Sequence, residues 1–329
     1  MKTFANANAR SVQDAARRAR DARQTGQHAS FAGGGTDLLQ LVKERIVSPD
    51  LIVNLKTIPN LSQVTRSSKG VSIGGLATLD AISRDETIRR DYPVLAEAAA
   101  SVATPQIRNV GTIGGNIAQR PWCWYYRNGF PCYKNGGNQC FSFAGENQFH
   151  AIFGGGPSYI VHPSDTAPAL VALGATIRIA GPSGERAVPA SEFFVLPRQN
   201  AAVENVLADD EVIASVDLPS PVAGTRSRYF KVTDRETWTH AVVSAAVVMQ
   251  MEGETCRAAH VVLGGVAPIP WRLPNVEQML AGQPITEDLA ARAAEAAVAG
   301  ARPLSHNAYK IPMTKGVVRR TVLQVAGKT

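Results

Sequence analysis

Four cysteines in 329 residues are too few, in too long a chain, for the disulfide scaffold that small secreted domains need. Aromatic residues make up only 6% and charged residues 19%, and no long Lys/Arg run stands beside aromatics. The net charge of +7 therefore points to solubility and attraction to an anionic cofactor or partner, and away from nucleic acid. No apolar run reaches the roughly 18–20 residues that cross a bilayer, so no membrane span is expected. The Gly-x-Gly-x-x-Gly signature is missing too, which speaks against an ordinary nicotinamide-binding fold. No apolar signal core follows Met1-Lys2-Thr3-Phe4, and assembly in the cytoplasm is the expectation. What is present, at 45% hydrophobic residues, suffices for two or three separate cores.

Glycine is where the chain becomes informative. Phe31-Ala32-Gly33-Gly34-Gly35-Thr36-Asp37 and Thr112-Ile113-Gly114-Gly115-Asn116 are two glycine-rich loops about eighty residues apart. Without Cβ atoms such loops let backbone N–H groups approach a phosphate closely. Glycine clusters also occur as plain turns. Thr36 and Asp37 tilt the first loop toward phosphate binding, since a hydroxyl can bond a phosphate and a carboxylate can accept from a ribityl or ribose hydroxyl. Soon after the second loop come Cys123, Cys132 and Cys140, with eight and seven residues between successive thiols. Structural zinc usually takes tight C-x₂₋₄-C knuckles. The wider spacing and the odd number of thiols favour an iron–sulfur site over zinc, disulfides or small core hydrophobes. A dinucleotide beside a redox centre is the chemistry of an electron carrier.

Local patterning supplies the frame. Ser11 caps a helix over Val12 to Ala19, and a strand ending near Phe31 feeds the first loop and a helix through Leu38 to Val42. Ile52–Leu55 and Val71–Gly74 read as strands, and Thr78 and Pro93 open further helices. From Cys123 to Gly156 no periodicity is sustained, which predicts a loop folded around its own ligand site. An apolar helix, Ala167 to Leu173, and a strand, Thr176 to Ala180, follow. Pro219-Ser220-Pro221 with Gly224 marks a boundary, dividing the chain into 1–222 and 223–329, with an insertion at about 120–158. Beyond the boundary Arg228–Val232, Ala241–Met251 and Ala258–Gly265 read as strands, and Leu289–Ala299 and Lys315–Val325 as helices. The expected class is α+β: an α/β region in two subdomains, then helices covering an antiparallel sheet.

Gln106 to Asn116 carries a more specific signal. With the first loop, Ser164-Asp165, Tyr229-Phe230-Lys231-Val232, Leu263-Gly264-Gly265-Val266-Ala267 and Pro270-Trp271-Arg272, it resembles the FAD-binding subunits of the molybdenum hydroxylases. That family includes xanthine dehydrogenases, carbon monoxide dehydrogenases and bacterial aldehyde oxidoreductases, and the resemblance spans essentially the whole chain. It implies a vanillyl-alcohol-oxidase/PCMH-like FAD domain, with the pyrophosphate held by Phe31, Ala32, Gly33, Gly34, Gly35, Thr36 and Asp37 on one side and Thr112, Gly114, Gly115 and Asn116 on the other. It also implies Val102, Ala103 and Thr104 beside the flavin or ribityl chain and Asp165 on ribityl or adenosine hydroxyls. Lys231 would be the catalytic group near the isoalloxazine ring, stabilising anionic reduced flavin. Taken alone, Lys231 reads as an exposed strand lysine; His162, as part of its motif, reads as a local packing or hydrogen-bonding group and not as a ligand or base.

The cysteine segment looks like the insertion of the periplasmic aldehyde oxidoreductase type, which implies a [4Fe–4S] cluster on Cys123, Cys132 and Cys140. One position departs from that pattern. The family's fourth cysteine falls just before His162-Pro163-Ser164-Asp165, where this chain has Pro157-Ser158-Tyr159. Ser158 through oxygen, another group, and a three-iron or labile cluster all stay open; Cys256, beside a predicted turn in the other domain, is disfavoured. Trp124, Tyr125 and Tyr126 read equally well as shields of a cofactor or as core. The implied partners are a molybdopterin-binding large subunit carrying the molybdenum cofactor and a small subunit carrying [2Fe–2S] clusters. Export to the periplasm with a partner stays open. So do two other functions, a stand-alone flavin oxidase and a non-catalytic metal-binding assembly subunit.

Overall fold

Ser11 starts the first helix by accepting a hydrogen bond from the Asp14 N–H at 3.0 Å. The helix Val12–Gln24 then buries Ala15, Ala16, Ala19 and Ala22, a stripe at helical spacing. The computed structural model describes residues 2–236 and 240–328. That alanine stripe covers a three-stranded parallel sheet in which Leu51–Asn54 lies between Ala5–Asn8 and Ala29–Ala32. The first glycine loop leaves the last of these strands and runs into the short helix Leu38–Lys43.

A five-stranded antiparallel sheet forms the second lobe, ordered Val64–Ser67, Gly70–Gly74, Val212–Pro219, Thr176–Gly181, Gly184–Pro189. Val216 faces Ile73 on one side and Ile177 on the other, and all three side chains are fully buried. The central strand thus closes a long excursion of chain that carries the helices Pro93–Ala100 and Thr166–Ala172, the second glycine loop and the cysteine segment. Thr112 caps Ile113–Ala118, so the second loop is itself a helix start.

The last unit pairs Thr225–Val232, Val243–Glu252, Thr255–Gly264 and Trp271–Arg272 as an antiparallel sheet. Lys310–Ala326 packs on it and Glu287–Ala297 packs on that helix, with a core of their own. The expected α+β class, a two-part α/β region before an antiparallel domain, is what the chain forms. Cys256 lies inside the strand Thr255–Gly264, fully buried, with its Sγ donating to the Ala258 carbonyl at 3.2 Å. The predicted turn is one step earlier, at Gly253 with φ +61°. Among the described residues no helix is long and apolar enough to cross a membrane.

The segment 120–158 is irregular, as its aperiodic sequence predicts, except for Trp124–Arg127 and a 3₁₀ turn at Tyr133–Asn135. Its exit is latched to the last domain. Asn307 Nδ2 donates to the carbonyls of His150 (3.0 Å) and Ala151 (3.3 Å). Lys310, at 0% exposure, donates to the carbonyls of Phe149 (2.9 Å), His150 (3.1 Å) and Gly265 (2.7 Å). The predicted helix began at Lys315, and the observed one begins at this lysine.

Burial pushes the Lys310 ammonium down to about 7. Between that value and the usual lysine value of about 10.4, the unfolded chain holds a proton that the folded chain does not, so stability rises with pH across the window. Lys310→Met removes that rise and strips three buried carbonyls of their donor, lowering stability at neutral pH by about 2 kcal/mol or more. Denaturant titrations at about pH 6 and about pH 9 read both effects; an unchanged slope with pH in the variant would contradict them.

Candidate functional site

The two glycine loops meet backbone to backbone. A Cβ on Gly34 would stand 2.1 Å from the Val110 carbonyl oxygen, and one on Gly33 3.0 Å from Leu76 Cδ2 and 3.2 Å from Thr112 Oγ1. Gly114 is pressed against the Gly75 carbonyl in the same way, at 2.8 Å. Much of the demand for glycine therefore comes from loop-to-loop packing. Phe31 and Ala32 belong to the strand below, and Gly35 makes the turn with φ +74°.

At this junction lies a cavity of about 290 Å³. Of the residues expected from sequence, Thr36, Asp37, Val102, Ala103, Thr112, Gly115, Asn116 and Asp165 line it, drawn from both loops and both lobes. Gly33, Gly34 and Gly114 instead bring the walls together, and Thr104 caps the turn Pro105–Arg108. Ala103 is held at φ +42°, a left-handed backbone rare for alanine, with the Val102 carbonyl accepting from Arg108 Nη1 at 2.8 Å.

Polar side chains hold these walls in register. Asn116 Oδ1 accepts from Ser164 Oγ and Thr166 Oγ1, each at 2.6 Å, tying the second loop to the helix after His-Pro-Ser-Asp. Asp165 accepts from Tyr229 OH and from Lys231 Nζ, each at 2.7 Å. Lys231 also donates to the Ser101 carbonyl at 3.0 Å. It is neither an exposed strand lysine nor a wall of the cavity: it stands behind Asp165 as its buried counter-ion. Burial, with the Asp165 charge beside it, raises the Tyr229 phenol well above its ordinary value, which keeps it a donor.

Several residues here carry no sequence motif. Arg127 Nη2 donates to Asp37 Oδ1 at 2.6 Å, its guanidinium lies 4.3 Å from the Trp122 ring centre, and Asp37 Oδ2 accepts from the Arg120 N–H at 2.9 Å. Both oxygens of the carboxylate expected to meet a sugar hydroxyl thus also hold the insertion. Trp122, Trp124, Phe149, His150 and His240 complete the apolar wall. Burial depresses His150 and His240 to about 4, so both are neutral imidazoles. His162 packs edge-on against Phe194 at 4.7 Å, as the local-packing reading expects, and burial takes it to about 3.

Cys123, Cys132, Cys140 and Ser158 line a second, narrow pocket of about 10 Å³. None of the three thiols is in a disulfide. Burial pushes the Cys123 thiol up to about 11, and its Sγ lies 3.3 Å from His150 Nε2. Cys123 lines the larger cavity as well. Among the described residues no three His, Cys, Asp or Glu side chains are grouped to hold a single metal ion. Three converging thiols suit an iron–sulfur cluster in donor chemistry, since each thiolate there binds a separate iron.

Residues 2–221 match the family described as the FAD binding domain in molybdopterin dehydrogenase, and residues 228–325 match the CO dehydrogenase flavoprotein C-terminal domain. The aldehyde oxidoreductase FAD-binding subunit PaoB of Escherichia coli (strain K12) is 32% identical over 87% of this chain and 88% of its own. The carbon monoxide dehydrogenase medium chain of Hydrogenophaga pseudoflava is 29% identical over 91% of this chain and 90% of its own. A chain in a solved structure of that organism's carbon monoxide dehydrogenase superposes with a TM-score of 0.78 at 27% identity, covering 99% and 98% of the two chains.

Gly34→Ala drives a methyl into the Val110 carbonyl and separates the loops, so the flavin-to-protein absorbance ratio of the purified protein falls about tenfold, a loss of ~1.4 kcal/mol in binding. Gly316→Ala, with nothing within 4 Å, leaves that ratio unchanged. Acid acts through the buried imidazoles. Below about pH 6.5 the unfolded chain takes up protons that folded His150, His162 and His240 resist, so stability is full above that pH and lost as pH falls toward about 4. Flavin fluorescence released on acidification tracks this loss, and full retention of the cofactor down to about pH 4 would contradict it.

Proposed function

This chain belongs to the family of FAD-binding medium subunits of the molybdenum hydroxylases, as an oxidoreductase subunit, and from that premise we propose that it takes electrons one at a time from an iron–sulfur partner and delivers them to an external acceptor. The partners are a molybdopterin-binding large subunit, which hydroxylates an aldehyde, and a [2Fe–2S] small subunit. The aldehyde reading draws on the relative named as an aldehyde oxidoreductase subunit. The insertion carries a [4Fe–4S] cluster on Cys123, Cys132 and Cys140, as an auxiliary relay or a brace of the subunit interface. The complex assembles in the cytoplasm, and export would follow a partner's signal.

One observation carries the reading: a single cavity takes walls from both glycine loops and from Asp165, and shares Cys123 with the cysteine pocket. FAD bound there supplies the exchange between one- and two-electron chemistry. The protein's part is positioning. The packed loops fix Thr36, Thr112 and Gly115 against the anionic linkage of the nucleotide. Tyr229 and Lys231 hold the Asp165 carboxylate at a set orientation toward the cofactor's hydroxyls. Trp122, Trp124 and Phe149 exclude water from the cavity wall. In the larger cavity the imidazoles contribute no charge.

The complete complex tests this. Mixed anaerobically with an aldehyde, its flavin absorbance bleaches, while the isolated chain with the same aldehyde keeps its colour. Bleaching in the isolated chain would make it a stand-alone oxidase. A purified chain without yellow chromophore would leave the glycine loops as turns.

A further inference from the structure

The cysteine pocket receives a wall from the far end of the same insertion. Cys123, Cys132 and Cys140 come from one short stretch, and Ser158 and Ile160 enter from the returning segment. Ser158 is 3% exposed, and its backbone is fixed: its carbonyl accepts from the Gly156 N–H at 3.2 Å, and the Tyr159 carbonyl accepts from the Ala151 N–H at 2.9 Å. Two of the other oxygens on this wall already have partners. Tyr125 OH accepts from the Glu146 N–H at 2.6 Å, and Ser142 Oγ lies 3.1 Å from Cys140 Sγ. The remaining thiol, Cys256, belongs to the core of the last domain. His150 touches Cys123 but lines the flavin cavity rather than this pocket.

We propose that Ser158 ligates the fourth iron of the cluster through Oγ, giving a site of three thiolates and one alkoxide. This rests on the reading that the insertion holds a [4Fe–4S] cluster. The Fe–O bond forms as the hydroxyl proton leaves to solvent, and no electron is transferred. An alkoxide is a harder ligand than a thiolate and favours the ferric state, so the cluster potential lies lower than four cysteines would set it.

The experiment uses the full complex purified anaerobically, with iron, sulfide and flavin counted per chain and electron paramagnetic resonance recorded in oxidised and reduced states. The wild type holds four irons beyond those of the partner subunit. Ser158→Ala loses one of the four, shows the oxidised signal of a three-iron cluster and keeps its flavin, which shows that the fold survives. Ser158→Cys keeps all four irons and shifts the cluster's midpoint potential upward. Four irons and an unchanged spectrum in Ser158→Ala would overturn the assignment, and so would loss of the fourth iron in His150→Ala alone. A wild-type chain with three irons would overturn it too. A wild-type chain without iron would bring down the cluster reading itself, whereas a cluster indifferent to Ser158→Ala would bring down only the ligand.

Discussion

The Arg127–Asp37 ion pair joins everything that matters here. Arg127 sits in the insertion with its side chain 6% exposed, and Asp37 ends the first glycine loop. The guanidinium also donates through Nε to the Pro121 carbonyl at 3.0 Å and has Glu44 at 3.8 Å, while the indole of Trp122 covers its face. A charge buried this far is stable only when paired, and breaking such a pair costs about 3–5 kcal/mol. The first glycine loop and the segment that carries three of the cysteines therefore cannot move independently. A lysine in place of Arg127 would supply the charge without the planar fork that meets carboxylate, carbonyl and ring together.

Long elements with clear periods were legible. The strands Val243–Glu252 and Thr255–Gly264 and the helix Glu287–Ala297 fall within about three residues of their expected bounds, and the first helix starts at Val12 as expected but runs five residues past Ala19, to Gln24. Ala5–Asn8 escaped notice because alternating alanine and asparagine carries no strand propensity; its place is set by parallel pairing with Leu51–Asn54. Val212–Pro219 escaped for another reason. Its partners, Gly70–Gly74 and Thr176–Gly181, are remote in sequence, and no local pattern reports such pairing.

At the site, motif residues and working residues overlap only in part. Thr36, Thr112, Gly115 and Asn116 line the cavity as their motifs suggest. Lys231 is drawn back to neutralise Asp165, so the pair offers the cavity a carboxylate backed by its counter-ion and not a bare cation. Trp122, His150 and His240 belong to no motif, because their role comes from where the chain folds and not from spacing along it. Lys134 is similar: its Nζ donates to the carbonyls of Ala201 and Val203 at 3.1 and 3.2 Å, and it is ion-paired with buried Glu204 at 2.5 Å. Nothing in Tyr133-Lys134-Asn135 as a string foretells a buried charge.

Cys123 brings these strands of reasoning together. The residue is common to the narrow thiol pocket and the wide cavity, and His150, a wall of the cavity, lies 3.3 Å from its sulfur. Arg127 and Lys310 anchor the two ends of the insertion so that one cysteine is a wall of the cavity between the glycine loops. An exposed loop of this length could not hold a side chain to that tolerance. Two buried basic side chains, each donating to several oxygen acceptors, fix the approach from both ends.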